Sequence, residues 1–370
     1  MNLAILGIGT ATPPRSIAQA DAAALAVHFA NAEPGRERAL AAIYRQTRIQ
    51  SRSSVLLEDP GEAAFAQSFF PPATHGDDCG PTTAERMARY AREAGPLATA
   101  AARTALADAG LPAAAVTHLV TCSCTGFANP GADLEIVRTL GLRDTVARVH
   151  VGFMGCHGAF NALAVAAAFT AADPAAVVLV ACVELCSLHF RYGTGGDHVV
   201  ANSIFADGAG AVVATGDRRP PRRDAWRLLG RWSRVLPDSA DQMGWLIGDH
   251  GFEMTLSARV PDAIAQHLPD FVDTALASAG LDRAAVASWA VHPGGPRVLA
   301  SVAAVMDLPG ESLATSHAVL ADHGNMSSAT ILFILERMIH ERAPGPCMAM
   351  AFGPGLTAEL ALFGDDGATA

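Results

Sequence analysis

The sequence predicts an α/β layered fold built from two like halves, and three observations carry that prediction. Strand-length apolar segments alternate with longer Ala-rich helical ones along the 370 residues, the arrangement in which helices cover a largely parallel sheet. Ala175 to Leu185 is the clearest of the strands, an apolar run suited to burial on both faces. A strand, a Gly/Ser-rich turn and an apolar helix occur around Cys156 and again around Asn325. Between them, residues 216–224 (Gly-Asp-Arg-Arg-Pro-Pro-Arg-Arg-Asp) form a charged, proline-containing connection. The halves are therefore drawn as 1–220 and 221–370.

Taken in order, Leu3 onward reads as a buried strand that stops at Thr12-Pro13-Pro14. Helical periodicity follows from about Ala18 to Phe29 and from Gly35 to Arg45. Glu58 to Pro81 is rich in Pro and Gly and is expected to be irregular. Thr82-Thr83-Ala84-Glu85 fits a capping box, with helices expected to Ala94 and, past Gly95-Pro96, from Leu97 to Ala109. Gly110 is a stop signal. Val116 to Cys122 reads as a strand and Ala132 to Leu140 as a helix. Another helix follows Cys156 to Ala172, and Phe205 to Ala214 reads as a Gly-hinged strand. The second half offers a strand from Trp226 to Val235, a helix from Pro261 to Gly280, a strand Trp289-Ala290-Val291, a helix Thr330 to Ile339 and a last strand Ala358 to Phe363.

Composition narrows the class. The chain is 51% hydrophobic and 17% charged, with a mean hydropathy of +0.26, which suits a large core and excludes a disordered chain. No window supplies the roughly 18 apolar residues of a membrane span; Ala159 to Ala172 comes nearest and reads as a core helix. Met1-Asn2-Leu3 lacks the basic start of a signal peptide. The net charge of −10 argues against nucleic acid as a partner. Seven cysteines, an odd number in mostly apolar runs, point to reduced thiols and a cytoplasmic protein. Neither Cys122 with Cys124 nor Cys182 with Cys186 has a second ligand pair, so no metal is expected.

Three residues from distant segments are chemical candidates. Cys156 lies in Gly155-Cys156-His157-Gly158, a tight turn running into a buried helix. There the helix dipole and free N–H groups favour a thiolate; a packed, inert cysteine is the alternative. His292 ends a strand ahead of Pro293-Gly294-Gly295-Pro296, and Asn325 precedes Met326-Ser327-Ser328 at a helix start. Singly they read as a strand-end histidine and a helix cap. Together they supply a nucleophile, an imidazole and an amide donor, the roles that decarboxylative carbon–carbon bond formation requires.

His292-Pro-Gly-Gly-Pro, Gly324-Asn-Met-Ser-Ser-Ala and Phe352-Gly-Pro-Gly-Leu-Thr, with Leu3 to Pro13, Thr125 to Leu142, Cys156 and Phe205 to Val213 in the same order, resemble the type III polyketide synthases of the chalcone synthase family. The resemblance spans nearly the whole chain. It implies the thiolase fold, a five-layer α-β-α-β-α sandwich of two pseudo-repeated halves, in a homodimer. It implies that Cys156 accepts an acyl group from a starter acyl-CoA. His292 would hold the thiolate as an ion pair and, with Asn325, would bind the thioester carbonyl of malonyl-CoA while CO₂ leaves. Rounds of condensation on Cys156 would end in cyclisation to a pyrone or phenolic product, with no cofactor.

Position by position, the resemblance makes Phe205 a gate between the CoA tunnel and the cavity, with Met254 at the second gate position in place of phenylalanine. It places Cys124, Thr125, Cys186, His189, Ala201, Trp245 and Ser327 around the cavity. His189 and Trp245 are bulkier than their plant counterparts, so plant-type flavonoid chemistry is not expected; Cys124 and Cys186 stand where an acyl tunnel opens. Asn129 stands where plant enzymes place a methionine that reaches the partner subunit. The family's CoA-phosphate residues fall on Ala39, Ala42 and Gln46, which moves that role to Arg45, Arg48, Arg52 and Arg297, or leaves the starter to an acyl carrier protein. Rival readings are a ketoacyl-ACP synthase III-like or hydroxymethylglutaryl-CoA synthase-like single condensation, and a non-catalytic thiolase-fold partner subunit. The starter is expected to be a long-chain acyl group giving alkylpyrones or alkylresorcinols, or else malonyl itself giving a small phenolic.

Overall fold

The structure is a computed structural model that describes residues 3–29, 37–59, 67–193, 196–216 and 226–364. The first half contains β1 (Leu3–Ala11), β2 (Ser16–Ala18), α1 (Gln19–Phe29), α2 (Glu37–Gln46), β3 (Ser51–Ser53), α3 (Thr83–Ala109), β4 (His118–Ser123), α4 (Ala132–Leu140), β5 (Ala147–Gly152), α5 (Gly158–Ala172), β6 (Val177–Leu185), α6 (Gly196–Ile204) and β7 (Asp207–Thr215). The second contains β8 (Arg227–Val235), β9 (Met243–Gly248), β10 (Gly251–Leu256), α7 (Val260–Ser278), β11 (Ser288–Val291), α8 (Pro296–Val305), α9 (Ala314–His323), α10 (Thr330–His340), β12 (Cys347–Gly353) and β13 (Thr357–Gly364).

Nine strands form one sheet in the order β11-β12-β13-β8-β1-β7-β6-β4-β5. Its two wings join at the pairs Leu3–Leu228 and Ala4–Arg227. From that seam each wing repeats one pattern. β1 is antiparallel to β7, β7 to β6, and β6 is parallel to β4; β8 is antiparallel to β13, β13 to β12, and β12 is parallel to β11. The wings fold over a shared middle layer, in which α5 and α10 bury Phe160, Leu163, Ile331, Leu332 and Leu335 against both. Outside the first wing lies α3, and outside the second lie α7 and α8. This is the five-layer thiolase fold. The connection at 216–224 and the 220/221 boundary fall almost wholly in 217–225, outside the described residues, as does the expected helix start at Gly35.

The capping box forms as expected: Thr82 accepts from the Glu85 N–H, and Gly110 closes α3 at φ 64°. Gly95-Pro96, however, does not divide this helix, which runs unbroken for 27 residues. Packing against β1 and β7 outweighs the one hydrogen bond that proline removes, and Gly95 lets Glu135 of α4 approach to where a Cβ would stand 2.8 Å from its side chain. The sequence reading passed over β5, an edge strand exposed along most of its length, and also α6, α8, α9 and the β9–β10 hairpin. Gly155–Ala172 has the length and hydropathy of a membrane span, but 61% of it is buried inside the fold, where it packs as the middle layer.

Candidate active site

Cys156 occupies a 3₁₀ turn, Gly155–His157, that runs straight into α5. The turn is conformationally demanding: Phe153 sits at φ 58° and Gly155 at φ 67°. A Cβ on Gly155 would stand 2.3 Å from Pro354 Cδ, and one on Gly158 would stand 2.7 Å from Cys122 Sγ. Only glycine fits at these points, and the result is a thiol that is 8% exposed. His292 directly follows β11, held by its N–H to the Met350 carbonyl at 2.9 Å; both its ring nitrogens are buried without a partner. Asn325 lies between α9 and α10. Its N–H donates to the Ile204 carbonyl at 2.8 Å, and its own carbonyl accepts from the Ala206 N–H at 2.9 Å. The Ser327 N–H occupies its Oδ1 at 2.8 Å, which leaves the amide NH₂ as the free donor. That donor and the Ser327 hydroxyl both lie by the Cys156 sulfur, where they act to lower its pKa.

These three residues, which the sequence predicts as partners, line one outer cavity of about 1360 Å³ of empty space, together with Met254, Phe352 and Arg297. Burial pushes the Cys156 thiol up to about 11, against the two donors that lower it. It pushes the His292 imidazole down to about 3, with His157 nearby adding to the effect. Neither group ionises alone in such a site. The charge separation that the cavity supports is the joint one, a proton passing from Cys156 to His292 so that opposite charges arise together.

Further in, Cys124, Thr125, Cys186, Phe205, Trp245 and Ser327 surround Cys156 in a small chamber of about 380 Å³. Beyond them opens an apolar cavity of about 970 Å³, reaching His189, Ala201, Phe29 and Phe70. Met254 lines all three spaces. Phe205 borders only the inner two, one step inward of the tunnel position expected for it, with its backbone bridged to Asn325. A partition separates chamber from apolar cavity. Trp245 Nε1 donates to the Cys124 carbonyl at 2.7 Å, and His189 Nε2 donates to the Thr125 carbonyl at 2.6 Å. His189 Nδ1 accepts from the Phe252 N–H at 2.9 Å, and its ring stacks on Phe252 at 4.2 Å. Both its nitrogens are used, so His189 is a wall and not an acid or base.

Of the four arginines expected at the CoA phosphates, Arg297 alone lines the outer cavity, beside Gln46 and Thr47. Arg45 and Arg48 are exposed on the adjoining surface. Arg52 is a correction: its guanidinium turns inward and is spent on Gln19 and the carbonyls of Asn202 and Phe205. Asn129 lies two residues past the exposed Phe127 (66%). Sequence reasoning missed Glu184, which is fully buried in β6. It accepts from Thr125 Oγ1 at 2.6 Å, from the Cys124 N–H at 3.0 Å and from Ser328 Oγ, and burial raises its carboxyl above the usual range. A lone carboxylate in an otherwise apolar strand was the available signal.

Comparison with known proteins agrees with this architecture. Residues 2–218 match the chalcone and stilbene synthase N-terminal domain, and residues 230–364 match the C-terminal domain. The chain belongs to that family and is a type III polyketide synthase, an acyltransferase. Among its relatives is the alpha-pyrone synthesis polyketide synthase-like Pks18 of Mycobacterium tuberculosis, 34% identical over 97% of this chain and 90% of the relative. The 1,3,6,8-tetrahydroxynaphthalene synthase of Streptomyces peucetius is 33% identical over 97% and 92%. The crystal structure of PKS-I from the brown alga Ectocarpus siliculosus superposes with a TM-score of 0.90 at 31% identity, covering 98% of both chains. The rival single-condensation and non-catalytic readings are not favoured.

Proposed function

We propose that this synthase extends a long-chain acyl starter on Cys156 with malonyl-CoA and releases alkylpyrones or alkylresorcinols. The observation that carries the chemistry is the convergence of Cys156, His292 and Asn325 on one cavity, with both imidazole nitrogens of His292 free for a substrate. As the sulfur attacks the starter thioester, its proton passes to His292 and then to the leaving CoA thiolate. The malonyl thioester carbonyl next accepts from neutral His292 and from the Asn325 amide. CO₂ departs, these donors hold the enolate oxygen, and the enolate carbon attacks the acyl–Cys156 carbonyl, expelling the sulfur. Each donor lowers that barrier by about 3 kcal/mol. The steps balance without a redox or metal cofactor.

The starter class rests on the apolar cavity behind Cys186 and Met254, which suits an alkyl chain far better than a second malonyl unit; the name of the mycobacterial relative, alpha-pyrone synthesis, supports the pyrone product. A homodimer is supported by the exposed edge strand β5 and by Phe127, Phe153, Met154, Leu246 and Ile247, all 36% exposed or more. Seven free thiols suit a cytoplasmic setting. The test is incubation with malonyl-CoA and acyl starters of increasing length, each as CoA and as carrier-protein thioester, with products identified by mass spectrometry. Long acyl-CoA starters should give tri- and tetraketide pyrones or resorcinols. Product from malonyl-CoA alone at equal rate would replace the starter assignment with a malonyl-primed phenolic.

A further inference from the structure

The C-terminus of α6 is capped by side chains and backbone from distant segments. Helix ends leave their last carbonyls without intrahelical partners, yet the last three of α6 and the one that follows each receive a donor from elsewhere in the chain. The Asn202 carbonyl accepts from Arg52 Nη1 at 2.8 Å and the Ser203 carbonyl from Gln19 Nε2 at 2.7 Å. The Ile204 carbonyl accepts from the Asn325 N–H at 2.8 Å, and the Phe205 carbonyl from Arg52 Nη1 at 2.6 Å. Arg52 Nε donates to Gln19 Oε1 at 2.9 Å, joining the two caps, and the guanidinium lies 5.6 Å from the Tyr44 ring centre. The stem of Arg52 meanwhile passes against Gly324, the residue before Asn325: a Cβ there would stand 3.0 Å from its Cγ and Cδ. One side chain therefore grips the backbone of Phe205 and underlies the residue before Asn325.

We propose that Arg52 is a positioning residue for condensation: by capping α6 it sets the separation of Phe205 from Asn325, and so the presentation of the malonyl thioester to Cys156. This inference rests on the polyketide synthase reading above. A fixed planar fork with a cation at a helix C-terminus suits the task, and the point charge of lysine serves two carbonyls and Gln19 less well. Acylation of Cys156 rests chiefly on the thiol and His292 and uses Asn325 only as one of two donors beside the sulfur, whereas condensation also needs Asn325 to hold the enolate oxygen, placed to within a fraction of an ångström.

The experiment compares wild type, Arg52→Lys and Arg52→Met in two assays: acylation of Cys156 by a starter acyl-CoA in a single turnover, and steady-state condensation with malonyl-CoA. Arg52→Met should acylate within about threefold of wild type, while its condensation kcat falls at least about tenfold with little change in KM, and the product mixture shifts to fewer extensions. Arg52→Lys, which keeps the charge and the fold, should recover part of the rate. Equal losses in both assays would mean that Arg52 only supports the fold, and an unchanged kcat with unchanged products would equally overturn the proposal. If Arg52→Met does not fold, Arg52→Lys decides between the same outcomes. A wild-type protein that acylates but never condenses would instead fault the function reading, and this proposal with it.

Discussion

Burial acts on four key side chains in the same direction, against charge. His189 and His292 are both held to about 3, far below the ordinary 6.5, by desolvation, and the Cys156 thiol and the Glu184 carboxyl are both raised by it. For the histidines this is a statement about stability. The unfolded chain takes up a proton on each as pH falls through 6.5, and the folded chain does not. Their contribution is whole above pH 6.5 and is lost as pH falls toward 3, by up to about 1.4 kcal/mol per pH unit for each. Denaturant unfolding at pH 7 and pH 5 should therefore show His189→Gln losing about 2 kcal/mol less than wild type over that interval; equal losses would remove His189 from the account. Cys156, His292 and Asn325 were legible in the sequence because glycine, proline and serine mark the turns that present them. Glu184 was not, because a strand read for its apolar run hides the one residue that interrupts it. The inward turn of Arg52 was not either, since a basic run does not say which member faces solvent.

Among elements, the nucleophile turn and the β9–β10 hairpin do most to shape the site. The first was foreseen from its glycines, and its rigidity makes a strong prediction. Gly155→Ala demands φ 67° of an alanine and puts its Cβ against Pro354, a strain of about 1–3 kcal/mol. The chain should stay folded by circular dichroism while condensation drops by about 10²-fold; wild-type turnover would show that the turn tolerates movement. The hairpin was passed over because β9 shows no apolar alternation, and β10, whose Phe252-Glu253-Met254-Thr255-Leu256 does alternate, pairs among the described residues only with β9. Its Trp245 closes the small chamber through the bond to Cys124. Trp245→Gly should join chamber to apolar cavity and give longer or differently cyclised products by mass spectrometry; an unchanged spectrum would take Trp245 out of the wall.

At the scale of the molecule, two wings of matching strand order enclose one middle layer, and the active site forms where the ends of β11, β12 and α9 meet the start of α5. Duplication was visible only as a repeated strand–turn–helix motif, because the two halves share pairing geometry far more than residues. The long α3 shows the opposite error, a local break signal overruled by packing. Association leaves less trace in sequence still. Val149 on the edge strand is 38% exposed, and light scattering of Val149→Asp should shift the mass from twice 38.2 kDa toward 38.2 kDa if β5 lies in a dimer interface. A wild-type monomer would contradict the assembly. The central claim is that an acyl group is carried on Cys156, and intact-mass spectrometry after brief exposure to a long-chain acyl-CoA, followed by peptide mapping, tests it most directly. The account predicts one acyl group, located on Cys156 and missing from Cys156→Ala, which should also make no polyketide; acylation of a different cysteine, or product from Cys156→Ala, would contradict it.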